Sequence, residues 1–305
     1  TVTAMGEQVR KVTVDGKEFF GDDATAALKN LPASVIDKIQ VFDRLSDQAQ
    51  LTGFDDGNSV KTVNIVTKSG IKNGQFGRIY AGGGTDSRYA AGGNVSFFKG
   101  DRRLSLVANF NNINQQNFAS QDLLGATSSR GGMGGGSDNF NVGQSNGISK
   151  TNALGINFSN VYAKKLTLTG SYFFNNSHNT NESVTNTETF DDTKNRFSLQ
   201  KSTSVNDNTN HRLNLRLEYK IDSSNSLFII PSVSFQKSRS SSFSSQNIYE
   251  GLADSISNLI TPKSTSDRNG YNIRNNMFFR HSFPKRGRSL SVGFNTTFTK
   301  NDGES

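Results

Sequence analysis

The sequence predicts a mainly β chain: a transmembrane antiparallel β-barrel, present in part, preceded by a small α/β unit. Three observations predict it. Nine stretches alternate apolar and polar residues over roughly ten positions, as strands with one apolar and one polar face do. Their lengths match the about 9–11 residues of a tilted membrane strand rather than the about 5–6 of a soluble one. The connections between them alternate short and long, the layout of outer-membrane barrels. Leu213, Leu215, Leu217, Tyr219 and Ile221 show the pattern best, interleaved with Asn214, Arg216, Glu218 and Lys220.

Residues 1–74 read as α/β. Val12 and Val14 lead into Asp15-Gly16, a tight-turn signal. Asp22 or Asp23 is placed to cap a short helix over Ala24–Asn30, and Pro32 to start another over Ala33–Ile36. Lys38–Phe42 and Lys61–Thr67 read as short strands, and Lys68–Gly74 as a linker.

Residues 75–305 read as strands at 75–83, 88–98, 102–111, 151–163, 165–176, 210–221, 225–238, 269–283 and 288–300. Lys99–Asp101, Lys164, Asp222–Ser224 and Pro284–Gly287 are expected as tight turns; the first hairpin turns through Gly84–Ser87. Asn112–Lys150, Ser177–Thr209 and Arg239–Arg268 are expected as long polar loops, facing outside, with the short turns toward the periplasm. Nine strands is odd, whereas bacterial single-chain barrels use even numbers, so further strands are expected after Ser305.

The alternation assigns faces. Leu166, Leu168, Leu213, Leu215, Leu217, Leu290, Val292 and Phe294 are expected to face lipid. Asn157, Ser159, Thr167, Thr169, Ser171, Asn214, Arg274 and Asn295 are expected to face a hydrated lumen. Tyr162, Tyr172, Tyr219 and Tyr271 fall near strand ends, where aromatic girdles sit. A soluble sandwich also alternates, but strand length and connection pattern favour the membrane. Arg212, Arg216, Arg274 and Arg280 form a positive wall on the lumen side. It can dock acidic residues of the α/β unit (Asp43, Asp47, Asp55, Asp56), attract anionic solutes, or simply balance Glu218.

Composition excludes other classes. The 305 residues include no Cys, which removes disulfides, thiolate zinc sites and thiol nucleophiles. No run approaches the roughly 18 apolar residues of a membrane helix. The net charge of +8 is spread along the chain rather than massed in a stripe, so no nucleic-acid partner is expected. No enzyme, cofactor or metal is expected either. His178, His211 and His281 stand apart, Arg130–Asp138 (RGGMGGGSD) lacks the lysine of a phosphate loop, and Asp55-Asp56-Gly57 lacks the closing Glu of a calcium loop. Residue 1 opens on no signal peptide.

Three segments resemble a known family: VTVDGKEFFGDD (Val12–Asp23), NLPASVIDKIQVFD (Asn30–Asp43) and KTVNIVTKSG (Lys61–Gly70). They are similar to the plug domain of the TonB-dependent receptors of Gram-negative bacteria, most of all the SusC-like outer-membrane barrel proteins of Bacteroidetes. The resemblance implies that residues 1–74 are the C-terminal part of a plug with its linker, and 75–305 the first strands of an incomplete barrel of about 22. It implies outer-membrane import of a nutrient, driven by the TonB complex through an N-terminal region this chain lacks. Outer-membrane lipid and a surface lipoprotein are the further partners implied; the transported solute is unassigned. A structural or secretion-associated barrel without TonB-driven import is the alternative.

Overall fold

The computed structural model describes residues 2–20, 28, 31–115, 147–190, 196–250, 256–285 and 288–304. The first part is a small α/β unit. A hairpin of β1 (Thr3–Ala4) and β2 (Glu7–Gln8) turns through Met5-Gly6. Strands β3 (Lys11–Val14) and β4 (Lys17–Glu18) turn through Asp15-Gly16, whose φ of 46° and 80° suit a tight hairpin turn. After Pro32 the chain makes one 3-10 turn, Ala33–Val35, and then enters β5 (Ile36–Leu45). A helix was expected there; Ile36 is instead extended (φ −85°, ψ 130°), as suits a β-branched residue following another. The helix expected over Ala24–Asn30 lies outside the described residues apart from Leu28, which is helical.

Helix α1 (Asp47–Thr52) was not foreseen. Ser46 caps it, its Oγ accepting from Ala49 N at 2.9 Å, and Gly53 ends it in the left-handed conformation (φ 78°). Strand β6 (Ser59–Thr67) completes a sheet of order β4-β3-β6-β5, parallel between β3 and β6. Val12, Val14, Phe19, Phe20, Val35, Val63 and Ile65 form its core.

A 3-10 turn, Ser69–Lys72, leads into a large antiparallel sheet. Its strands are β7 (Asn73–Gly83), β8 (Tyr89–Lys99), β9 (Arg102–Asn111), β10 (Ile148–Tyr162), β11 (Leu166–Thr189), β12 (Arg196–Lys220), β13 (Asn225–Glu250), β14 (Ile256–Ile260), β15 (Lys263–Ser282) and β16 (Ser289–Glu304). Apart from short β14, which pairs only β13, each strand lies beside its sequence neighbours in one meander. Among the described residues β7 and β16 each have a single neighbour, so the expected barrel is here an open sheet.

The expected loops need correction. Much of Ser177–Thr209 and Arg239–Arg268 is strand, and β11, β12 and β13 run 24, 25 and 26 residues. Apart from scattered outward residues such as Val184, Phe197, Leu199, Val205 and Phe243, these extensions are polar on both faces, so period two is faint in hydropathy. Hydroxyls and amides pair across them instead: Ser183 with Ser202 at 2.7 Å, Ser240 to Asn206 at 2.7 Å, Gln246 to Ser198 at 2.8 Å.

Burial is inverted relative to a soluble sheet. In mid-sheet strands Asn109, Asn111 and Gln236 are 0 % exposed, whereas Leu154 and Ile156 are each 43 % exposed. The register explains it. One row across the sheet reads Ala108, Leu154, Phe174, His211, Phe235, Tyr271; the next reads Leu106, Ile156, Tyr172, Leu213, Val233, Ile273, Phe298. These rows share the exposed face. Two residues beyond the Phe174 row the same face turns polar, as Asn152, Asn176, Thr209, Lys237, Asn269 and Asp302. From Tyr271 to His281 the outward face of β15, apolar but for Asn275 and the terminal His281, covers about ten residues, or about 33 Å of strand. At a tilt of about 40° that is about 25 Å of depth, the height of an outer-membrane apolar band.

Close approach fixes one glycine. Tyr80 lies over Gly92, its Oη 3.3 Å from Asn109 Oδ1. A Cβ on Gly92 collides with the Ala108 carbonyl and comes within 2.9 Å of Tyr80 Oη, whereas one on Gly82 meets nothing within 4 Å. Gly92→Val is expected to lower stability by about 1–3 kcal/mol and Gly82→Val to be near neutral; thermal unfolding of the two variants side by side checks the contrast.

Candidate functional site

The small unit docks on the buried, polar face of the sheet, and charge holds the seam. At one end Arg103 of β9 donates from Nη1 to the Val14 carbonyl at 2.7 Å and from Nη2 to Asp15 Oδ2 at 2.9 Å. Asp15 also accepts from Thr67 N at 2.8 Å and Thr67 Oγ1 at 2.7 Å, which ties the β3–β4 turn to the end of β6. Phe98 lies under the Arg103 guanidinium at 4.9 Å. Lys17 Nζ reaches the Asp101 carboxylate at 2.9 Å and its carbonyl at 3.0 Å.

In the middle, Asn157 Oδ1 accepts from Phe20 N at 3.0 Å, and the Phe20 ring packs on Phe173 at 5.5 Å. Phe20 is wholly buried with φ of 59°, a left-handed backbone that is costly for an aromatic residue. The amide bond to the sheet and the ring contact hold it there.

At the other end Arg216 of β12 gathers three carboxylates. Its Nη1 donates to Asp47 Oδ1 at 2.6 Å and lies 3.5 Å from Glu18 Oε1, and its Nε donates to Glu218 Oε1 at 2.6 Å. Lys11 Nζ meets Glu18 Oε1 at 2.6 Å. Burial opposes the charged forms of Glu18 and Asp47, but the fields of Lys11 and Arg216 outweigh it and hold both carboxyls below their usual range. Beside this cluster is a cavity of about 220 Å³, walled by Lys11, Asp47, Ser171, Arg216, Ser232 and Arg274.

Of the four arginines singled out from the sequence, Arg216 contacts the small unit and Arg274 lines the cavity. Arg212 is buried with its guanidinium over Phe173 at 4.8 Å. Arg280 lies farther down β15, opposite Ser226 and Ser291. Of the acidic residues named with them, Asp47 reaches Arg216. Asp43 pairs with Lys61 inside the unit at 2.7 Å. Asp55 and Asp56 cap their own turn, accepting from Gly57 N and Asn58 N.

Sequence reasoning missed Arg103, Asp15, Glu18 and Asn157 as contacts across the seam. Arg103 was open to discovery, since it shares the polar phase of its strand with Ser105 and Asn109. His178 pairs with Asp207, His211 with Tyr172 Oη and His281 with Asn225, each at a separate place. Among the described residues no three His, Cys, Asp or Glu side chains converge on a metal position.

No family model and no curated protein matches the chain. Solved structures do. The ferric preacinetobactin receptor BauA of Acinetobacter baumannii aligns over 97% of this chain and 51% of its own, at 10% identity and a TM-score of 0.37. The outer-membrane ferripyoverdine receptor of Pseudomonas aeruginosa aligns over 97% and 46%, at 14% identity and 0.37. The alcaligin outer-membrane receptor FauA of Bordetella pertussis aligns over 99% and 49%, at 12% identity and 0.25. The chain thus spans about half the length of these receptors. At such values the likeness carries no argument about activity.

The seam sets two expectations. Arg216→Ala removes the hydrogen-bonded partner of Asp47 and leaves Lys11 alone to offset both buried carboxylates, and is expected to cost up to about 3 kcal/mol. Arg216→Met combined with Glu18→Gln and Asp47→Asn is expected to recover part of that loss, read by unfolding. The folded chain binds fewer protons at Glu18 and Asp47 than the unfolded chain. The stabilisation is therefore complete above the ordinary carboxylate range, about pH 4, and is lost as pH falls through the lowered values. Limited proteolysis of the small unit across about pH 3–6 reads this directly; unchanged cleavage at the acid end contradicts it.

Proposed function

We propose that the chain belongs to an outer-membrane β-barrel that imports a nutrient, with residues 1–74 as the C-terminal part of its plug and linker and 75–305 as the first strands of its wall. The observation that carries this reading is the inverted burial: apolar rows outward over about 33 Å of strand, polar rows inward, with a folded unit docked on the polar side. In water the exposed rows of Leu213, Ile273, Leu290, Val292, Phe294 and Phe298 would form a large apolar patch of the kind monomeric soluble proteins avoid. In lipid they are solvated.

The free edges of β7 and β16 fit the same reading. Backbone groups in a bilayer must be paired, so further strands complete the wall. The segments Val12–Asp23, Asn30–Asp43 and Lys61–Gly70 resemble the plug of TonB-dependent receptors, which favours import driven by the TonB complex over a purely structural barrel.

Adjacent residues of β16 test the faces. In the full-length protein Phe294→Arg is expected to block insertion, since an outward arginine near mid-depth costs about 2–4 kcal/mol. Asn295→Arg, pointing inward, is expected to insert normally. Heat-modifiable migration of the membrane fraction separates the two; equal behaviour sinks the assignment. For import, growth on the transported nutrient is expected to need both this protein and TonB, and equal growth without TonB favours the structural alternative.

A further inference from the structure

The inward face of β15 carries arginine at every sixth position: Arg268, Arg274 and Arg280. An even spacing keeps all three on one face, and the register with both neighbouring strands is unbroken. Each has small side chains on both sides. Arg268 is opposite Ser238 and Gly303, Arg274 opposite Ser232 and Thr297, and Arg280 opposite Ser226 and Ser291. The same rung therefore repeats three times, about 20 Å apart along the strand.

These arginines differ from the two that dock the small unit. Arg103 and Arg216 are buried and hold carboxylates of that unit. None of the β15 arginines has an ion pair among the described residues; Arg268 and Arg274 are exposed, and Arg280 Nε is buried with no hydrogen-bond partner. Arg274 opens onto a cavity lined by three cations, Lys11, Arg216 and Arg274 itself, and by two carboxylates, Glu18 and Asp47, which Lys11 and Arg216 already hold. At these depths the inward face carries one acid among the described residues, Glu218, which Arg216 already holds. Unpaired cations on the inner wall of an enclosed space, with low-dielectric lipid behind, raise the local concentration of anions. Hydroxyls beside a guanidinium add donors to its planar fork, a combination suited to oxyanions.

We propose that this stripe is the path of an oxyanion-bearing solute, carboxylate or phosphate, with three stations from the polar rim past the small unit to the short-turn end. The proposal rests on reading the inward face as a lumen. Arg268 receives the anion above the apolar band, Arg274 holds it at the cavity beside the small unit, and Arg280 takes it below. Separations well beyond the Debye length of about 8 Å keep the mutual repulsion of the three cations small.

Calorimetric titration of the full-length protein in bilayer discs, with inorganic pyrophosphate and separately with citrate, tests this. At least one anion is expected to bind, and to bind more weakly as salt rises. The triple variant R268Q/R274Q/R280Q is expected to weaken it about tenfold or more, and R274K to retain much of what R274Q loses. Pyrophosphate alone bound assigns phosphate, citrate alone carboxylate. No binding of either by the wild type, or unchanged affinity in a triple variant that keeps heat-modifiable migration, overturns the proposal. If the triple variant does not fold, R268Q serves, because Arg268 is exposed and in no ion pair among the described residues; unchanged affinity there, with R280Q also unchanged, overturns it equally. Failure of the membrane reading shows separately, as tolerated Phe294→Arg.

Discussion

The structure depends on one constraint: in a register-locked antiparallel sheet, a residue's position along the strand decides its face for every neighbouring strand as well. Leu154, Phe174, His211, Phe235 and Tyr271 meet in one row because each ladder pairs them without slippage. A shift of one residue in any ladder would turn apolar side chains onto the polar face. The turns hold the register. Ala163 and Lys164 adopt positive φ, and the Asp222 carboxylate accepts from Ser224 N at 2.7 Å and Asn225 N at 2.8 Å. Pro231 marks a local exception: opposite Leu215 and Arg216 the β12–β13 ladder lapses, as suits a residue with no amide hydrogen.

The second layer of organisation is electrostatic. A polar wall with arginines is costly to cover unless the covering surface brings acids, and the small unit brings Asp15, Glu18 and Asp47 to Arg103 and Arg216. Burial of paired charge is weak as a source of net stability and strong as a source of position. Asp15 shows how position is set. One carboxylate joins the β3–β4 turn, the end of β6 and the sheet, so the tight turn read from Asp15-Gly16 also aims the carboxylate.

Legibility followed periodicity. Strands with an apolar phase, such as β9 and β12 below Asn210, stood out from hydropathy. The outer halves of β11, β12 and β13 did not, because Ser, Thr and Asn dominate both faces and the few apolar residues, such as Phe197 and Phe243, are too sparse for contrast. Their order comes from cross-strand partners that lie 19 or more residues away in the chain. Arg216 meeting Asp47 was readable as a type of contact, cation on the wall and acid on the unit. The choice of Asp47 over Asp43 was not, since Lys61 of a neighbouring strand takes Asp43.

The sequence by itself determined the two faces, the short turns and the presence of a separate α/β segment, because these follow from residue spacing within a few positions. Only the tertiary structure decided which side of the sheet the small unit occupies, which carboxylates meet Arg103 and Arg216, and which arginines stay unpaired on β15. Those outcomes join residues 88 to 169 positions apart, and no local pattern specifies such a pairing. Complementary charge, shape and register decide it once the strands stand side by side.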